Sequence, residues 1–305
     1  MNGLVAQVSQ MAGISSSSCR LIARGAHRRY KKFTIRKKNG GIRVVAQPAR
    51  EVKAIQRAIC VILSEKLFVH ASATAYKIGS SILSNAAAHA DSRYLSKFDF
   101  SEFFPSIGAD SLINLLAIRV PNLSEAEVRF VVDACTWRPN GRAELCIGAP
   151  SSPLLSNAVM YSFDENISSA LAEMGVSYTR YSDDISISSK REGILADAEL
   201  LLRAAVARSR FPVLRMNEEK RVAVGRGVSM IVTGLTLTNQ GGVSVGRVRK
   251  RGVRAGVEKF VRFGATEVEF ARLKGELAFV LSVEPEFRQV LIRTHGERIL
   301  RLLPR

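Results

Sequence analysis

Cysteine is scarce in this sequence. Only Cys19, Cys60, Cys135 and Cys146 are present, and no two stand in C-x-x-C spacing. That excludes the usual structural zinc cages and a disulfide framework. Acidic residues are also few: 27 Asp and Glu face 45 Lys and Arg, a net charge of +18. The first fifty residues hold eleven Lys or Arg and no acid at all. No apolar run approaches the length that spans a bilayer, so no membrane partner is expected. The opening MNGLVAQVSQ lacks the charged and apolar regions of a secretory signal. A reducing cytoplasm is therefore the expected location. Internal repeats and Pro/Ser-rich linkers are absent as well.

What is present is a globular composition of 305 residues, 47% hydrophobic and 24% charged. So large a basic excess points to a polyanionic partner, and nucleic acid is the usual one. The excess sits at both ends. From Arg221 to Arg305 there are sixteen basic and seven acidic residues.

The pattern along the chain predicts an α+β unit with a helical appendage. Residues 1–29 read as a basic helical extension. FTIRKK, Asn39-Gly40-Gly41 and IRVVAQP read as a β-hairpin. Val52, Ile55, Ile59, Ile62, Leu63 and Leu67 recur at helical spacing over 51–69. A helix is expected from Ser81 to Asp91 and a strand from Leu95 to Phe100. Helices follow over 109–118 and 125–135, then one long helix from Pro153 towards Gly175. Two strands flank Ser182-Asp183-Asp184, and a helix covers 194–209. Short strands then precede a helical, basic tail.

Two acidic clusters stand in unfavourable places. Asp99 lies in the apolar run Lys97-Phe98-Asp99-Phe100, where a carboxylate is costly to bury without a partner. Alone it could simply cap the following helix. Asp183 and Asp184 interrupt VSYTRY and ISISS, as the tip of a tight hairpin would. Alone they could be an ordinary turn. Adjacent carboxylates repel, and they tolerate proximity best around a divalent cation. Three carboxylates on neighbouring strand ends can hold two Mg²⁺ ions roughly 4 Å apart, with Mn²⁺ as the alternative, and such a site transfers phosphoryl groups. Between the clusters, the Gly148-Ala149-Pro150-Ser151-Ser152-Pro153 turn lets the backbone approach a neighbour at Gly148. Ser151 or Ser152 can cap the helix that follows.

FDFSEFFPS, GAPSSP and YSDD, in this order and at these intervals, resemble motifs A, B and C of reverse transcriptases over roughly residues 30–240. Asn85-Ala86-Ala87-Ala88-His89 and Val232-Thr233-Gly234 resemble two signatures of the retron enzymes. The resemblance implies a right-hand polymerase fold. Fingers and palm would occupy 30–235, with an antiparallel sheet and helices, and a basic helical thumb 236–305. It implies an RNA-directed DNA polymerase that takes a structured non-coding RNA as template and as 2′-OH primer. The product would be branched, RNA-linked single-stranded DNA, with a separate effector protein and a role in phage defence as further implications.

It also implies residue roles. Asp99, Asp183 and Asp184 would be catalytic and hold metal, with the Phe100 carbonyl completing one shell. Phe104 would be the steric gate against ribonucleotides. Glu102 and Phe103 would present amides to the triphosphate of a dNTP, and Gly148 would border it. Arg43 and Lys37 or Lys38 would clamp phosphates, and Lys220 would act at the pyrophosphate. Asn85, His89, Val232, Thr233, Gly234, Arg247, Arg249, Lys250, Arg251 and Arg254 would bind RNA. Two departures stand out: Cys146-Ile147 replaces a Pro-Gln pair before Gly148, and Ser182 replaces alanine. A reverse transcriptase of another bacterial lineage and a non-catalytic RNA-binding scaffold are the competing readings.

Overall fold

The structure is a computed structural model that describes residues 3–36, 40–225, 227–299 and 301–302. Two helices, α1 (Leu4–Ala12) and α2 (Ser16–Arg24), open the chain. The expected hairpin follows as β1 (Tyr30–Arg36) and β2 (Ile42–Pro48), antiparallel with Ile35 opposite Arg43. Helix α3 (Arg50–Leu63) buries Val52, Ile55, Ile59 and Leu63, the stripe that its spacing predicts. Next come α4 (Ile82–Ala87), β3 (Tyr94–Asp99), the one-turn α5 (Phe103–Ser106), α6 (Ala109–Arg119) and α7 (Glu125–Cys135). A capping box starts α7, with Ser124 and Glu127 each satisfying the other's backbone amide.

The long helix expected after Pro153 is α8 (Ser152–Val159) followed by α9 (Tyr161–Glu173). Only Met160 departs from it. Met160 N still donates to Ser156 O at 3.1 Å, and Asp164 N to Met160 O at 2.9 Å. Neither Ser151 nor Ser152 caps α8 through its hydroxyl; Ser151 supplies only its carbonyl, to Leu155 N. The hairpin of β4 (Ser177–Tyr181) and β5 (Asp184–Ser189) precedes α10 (Ile194–Arg208). Then come β6 (Val222–Gly225), β7 (Ile231–Val232), β8 (Leu235–Leu237) and β9 (Val243–Ser244). Helices α11 (Arg247–Phe263), α12 (Glu267–Val283) and α13 (Phe287–His295) follow, with a 3-10 turn over Gly296–Ile299 after them. Sheets form in the orders β1-β2, β4-β5-β3-β6 and β7-β8-β9.

The chain divides into two compact units, and their boundaries differ from the expected 1–29, 30–235 and 236–305. The first unit comprises Met1–Gly79, Ser96–Ile187 and Gly193–Val222; the second comprises Ser80–Leu95, Ser188–Glu192 and Ala223–Arg305. The physical reason is packing. The first core gathers Val8, Ile59, Phe98, Leu112, Ile185 and Leu202, so α1 packs within it. The second gathers Ala86 and Leu95 with Val232, Leu235, Val257 and Leu277, which draws α4 to the small β7-β8-β9 sheet. Each such side chain removed from water contributes roughly 1–3 kcal/mol, so packing outweighs sequence adjacency. All four cysteines are free. Among the described residues no helix is long and apolar enough to cross a membrane.

Candidate active site

The site lies in the first unit, where β3 and β5 run side by side. Asp99 ends β3 and is 5% exposed. Phe100 N donates to Asp183 O at 3.0 Å, which sets the two aspartates next to one another. The hairpin turn is Ser182-Asp183, with Ser182 at φ 62. Asp184 begins β5. The segment leading to Lys220 is tied in as well, because Asn217 N donates to the Asp99 carbonyl at 2.8 Å. Lys220 Nζ then donates to Asp99 Oδ2 at 2.6 Å.

The crowding of carboxylates disfavours ionisation of Asp183 and Asp184. Burial, then the Asp99 charge, raises the Asp183 carboxyl above its ordinary value, while Lys220 and Arg43 oppose the rise. Asp184 is open to solvent on one side. Even so, loss of surrounding water and the charges of Asp183 and Asp99 push it up to about 6. The set is an all-oxygen, electron-rich donor group deficient in positive charge, which is what a hard divalent cation corrects. In this conformation no three His, Cys, Asp or Glu side chains among the described residues form a ready metal cage. The Lys220 ammonium holds one Asp99 oxygen instead. The donor chemistry therefore fits a divalent ion, provided that Lys220 swings off Asp99.

Around the carboxylates the expected neighbours take clear positions. Glu102 is exposed and left-handed at φ 48, and it leads into α5 with Phe103 and Phe104. Phe103 stacks on Phe100 at 5.8 Å and meets Phe104 edge-on at 5.5 Å, so the Phe104 ring is braced from behind. Gly148 adopts φ 114, and a Cβ there would sit 2.8 Å from Ala46 O and 2.9 Å from Val45 Cγ1. The loop thus rests directly on β2, fastened by Ala46 N donating to Ile147 O at 2.8 Å. Phe104 and the 146–150 loop line one cavity of about 380 Å³ with Tyr76, Ser152, Lys53 and Arg57. Arg43 is exposed on β2 and close enough to lower the Asp183 pKa. Lys37 and Lys38 lie outside the described residues.

Sequence reasoning missed several of these residues. Lys53 and Arg57 stand one turn apart on α3 and face the cavity. Behind the Ser182-Asp183 turn, Arg180 is fully buried. Its guanidinium donates to Asp164 at 2.6 and 2.9 Å, to Asn157 Oδ1 at 3.1 Å and to the Ser182 carbonyl at 3.0 Å. Tyr178 Oη adds a bond to Asp164 at 2.7 Å. Burial opposes the Arg180 charge, and the Asp164 carboxylate more than restores it. The available signal was an arginine inside the apolar run VSYTRY, as anomalous as Asp99 in its own strand.

The residues expected to bind RNA all lie in the second unit, and not all are on its surface. Asn85, His89 and Val232 are buried there at 1%, 0% and 0% exposure. His89 Nδ1 bonds Ser188 Oγ at 2.7 Å, and Ser188 Oγ in turn bonds Ser92 Oγ at 2.8 Å. Asn85 Nδ2 donates to Thr233 Oγ1 at 3.4 Å, and Thr233 Oγ1 to Ile82 O at 3.1 Å. Asn85 and the Ile82 carbonyl thus tie α4 to the Thr233-Gly234 turn, while His89 ties the segment after α4 to β5. Thr233 and Gly234 take φ 46 and φ 80, so the two signatures meet at one hairpin turn. Lys250 is likewise engaged, by Glu284 at 2.7 Å. Arg247, Arg249, Arg251 and Arg254 are exposed on α11.

Comparison with known proteins places the chain in a family. Residues 35–237 match the family model described as Reverse transcriptase (RNA-dependent DNA polymerase). The chain is 38% identical to Retron Ec83 reverse transcriptase of Escherichia coli, over 89% of this chain and 88% of that protein. It is 31% identical to Retron Mx65 reverse transcriptase of Myxococcus xanthus, over 89% of this chain and 65% of that one. Among solved structures, apo telomerase from Candida tropicalis superposes with a TM-score of 0.53 at 15% identity, over 89% of this chain and 57% of the other. That likeness shows a shared right-hand polymerase fold. The chain belongs to the reverse transcriptase family, and it is an RNA-directed DNA polymerase of the retron type.

Proposed function

We propose that this enzyme is the polymerase of a retron, copying a structured non-coding RNA from a 2′-OH within that RNA into branched, RNA-linked single-stranded DNA. The observation that carries the proposal is the coincidence of the Asp99-Asp183-Asp184 cluster with relatedness to retron enzymes along nearly the whole chain. In this reading Asp99, Asp183 and Asp184 hold divalent ions, Mg²⁺ foremost, together with the Phe100 carbonyl. Bound there, the metal would make the primer hydroxyl more acidic and neutralise the triphosphate. The chain's own residues do the rest. Arg43 and Lys38 attract phosphates as charge-assisted donors, and Glu102 and Phe103 offer backbone amides. Phe104 fills the space that a 2′-hydroxyl would need. Lys220, once released from Asp99, would supply a proton or a charge to the departing pyrophosphate.

RNA contact falls to the exposed arginines of α11 and to the backbone of the Thr233-Gly234 turn. Phosphate contacts of that kind are shape-guided and weaken steeply with salt. A separate effector protein and a role in phage defence complete the proposal. The test is to purify the protein from its host with bound nucleic acid, then sequence and debranch it. DNA joined to RNA through a 2′ linkage is expected from wild type and absent from Asp183→Asn. Linear DNA alone, or equal product from both proteins, would refute the proposal. A plaque assay on the native locus with the same substitution tests the defence role.

A further inference from the structure

The cavity beside Phe104 has an aromatic wall that none of the motifs contains. Tyr76 lines it, is 56% exposed and holds φ 61. An aromatic residue in left-handed backbone is strained, and such strain persists only where the surroundings over-determine it. Here they do. Arg180 N donates to Ser72 O at 2.8 Å, Thr74 N to Arg180 O at 2.9 Å, and Asn157 Nδ2 to Ala75 O at 2.8 Å. The chain is therefore fastened on both sides of Ala73 and again at Ala75, and Tyr76 follows directly. Its ring is left in the cavity while its hydroxyl donates to Ser182 Oγ at 3.3 Å. Ser182 opens the turn that carries Asp183, and its carbonyl is held by Arg180 at 3.0 Å.

A second observation marks the cavity as a ligand site. Ser152 lines it with a buried hydroxyl that has no partner. Lys53 and Arg57 bring two positive charges to the same wall. A volume of about 380 Å³ falls in the range of small-ligand sites.

We propose that Tyr76 contacts the incoming deoxynucleoside triphosphate, its ring packing on the base and sugar, and that its hydroxyl couples occupancy of the cavity to the Ser182-Asp183 turn. This inference rests on the cavity being the nucleotide site of the polymerase. The ring and the hydroxyl make separable contributions. The ring binds nucleotide, because an aromatic face stacks on any base. The hydroxyl positions the turn through Ser182 and does not itself touch the reacting atoms.

The experiment compares wild type with Tyr76→Ala, Tyr76→Phe, Ser182→Ala and the Tyr76→Phe/Ser182→Ala double variant on an RNA template. A primer ending in a dideoxynucleotide binds the next dNTP without reacting, so nucleotide affinity is read apart from turnover. Tyr76→Ala is expected to weaken dNTP affinity roughly tenfold, the usual weight of one base–aromatic contact. Tyr76→Phe should keep affinity within about twofold and lower kcat, and Ser182→Ala should lower kcat to the same extent. The double variant should be no slower than either single one. Unchanged dNTP affinity in Tyr76→Ala overturns the ring contact, and multiplying kcat losses in the double variant overturn the coupling. Thermal unfolding checks each variant; if Tyr76→Ala does not fold, Tyr76→Leu carries the same expectation and the same refutation. A wild-type protein that extends no primer under any condition would sink the nucleotide-site reading itself, a result distinct from either failure.

Discussion

Replacing Gly148 with alanine tests whether the loop beside the candidate nucleotide cavity is built on backbone-to-backbone contact. At φ 114 an alanine would be strained wherever it stood, and its Cβ would lie 2.8 Å from Ala46 O and 2.9 Å from Val45 Cγ1. The strain costs about 1–3 kcal/mol, and overpacking against a fixed strand costs about 1–3 kcal/mol more. The sum is eased if the loop shifts, but shifting breaks the 2.8 Å bond from Ala46 N to Ile147 O. A net loss of about 3 kcal/mol corresponds to a melting point lower by roughly 6–12 °C. Gly141→Ala is the control, because Gly141 also has positive φ, at 79, but nothing within 4 Å of the added Cβ. It should cost only the backbone strain, about 1 kcal/mol. Thermal unfolding measures both, and steady-state KM for dNTP reports on the loop. Because Gly148 borders the cavity, Gly148→Ala should also raise KM, and Gly141→Ala should not. Equal melting points for the two variants, or an unchanged KM in Gly148→Ala, would refute the reasoning.

Further outcomes are expected. Phe104→Ala should cut discrimination against ribonucleotides by about tenfold or more, read as the ratio of kcat/KM for dNTP and rNTP. Asp164→Asn leaves the buried Arg180 charge without its partner and should destabilise the protein by about 3–5 kcal/mol in urea unfolding. His89 is held neutral by burial, its pKa pushed down to about 4. Its ordinary value is about 6.5, so the unfolded chain binds more protons between pH 6.5 and 4. Stability is therefore fully present above pH 6.5 and is lost as pH falls through that window, by roughly 3 kcal/mol in all. His89→Gln should flatten that slope in unfolding curves recorded between pH 7 and 4.5.

Much of the fold was legible because its signals are local. The β1-β2 hairpin needs only two alternating runs and a glycine turn. The α3 stripe needs only its own spacing, and Ser124 with Glu127 announces a helix start. Asp99 and the Asp183-Asp184 pair were legible for a different reason: a carboxylate set among apolar strand residues demands an explanation. What stayed hidden is non-local. Nothing in residues 70–78 signals that Tyr76 would be bent into a cavity, because the bonds that hold it come from Arg180 and Asn157, about a hundred residues on. The division into two units is non-local too, since Ala86 and Leu277 share a core across most of the chain. Lys53 and Arg57 look like ordinary solvated positions until the Gly148 loop is seen to line the same cavity.

The two segments that resemble retron signatures, Asn85–His89 and Val232–Gly234, are largely built into the fold. Asn85 and His89 have almost no exposed surface, yet both bond to groups far along the chain: Asn85 to Thr233, His89 to Ser188. Ser188 lies on β5, the strand that begins at Asp184. Thr233 is a β-branched residue in left-handed backbone, and that is unfavourable unless its side chain is held. Its hydroxyl is held, by the Ile82 carbonyl and the Asn85 amide. Gly234 then completes the turn without strain. Replacing Asn85 would loosen the turn before it altered any surface group. Asn85 therefore fixes the Thr233-Gly234 turn on α4, while His89 ties the segment after α4 to β5.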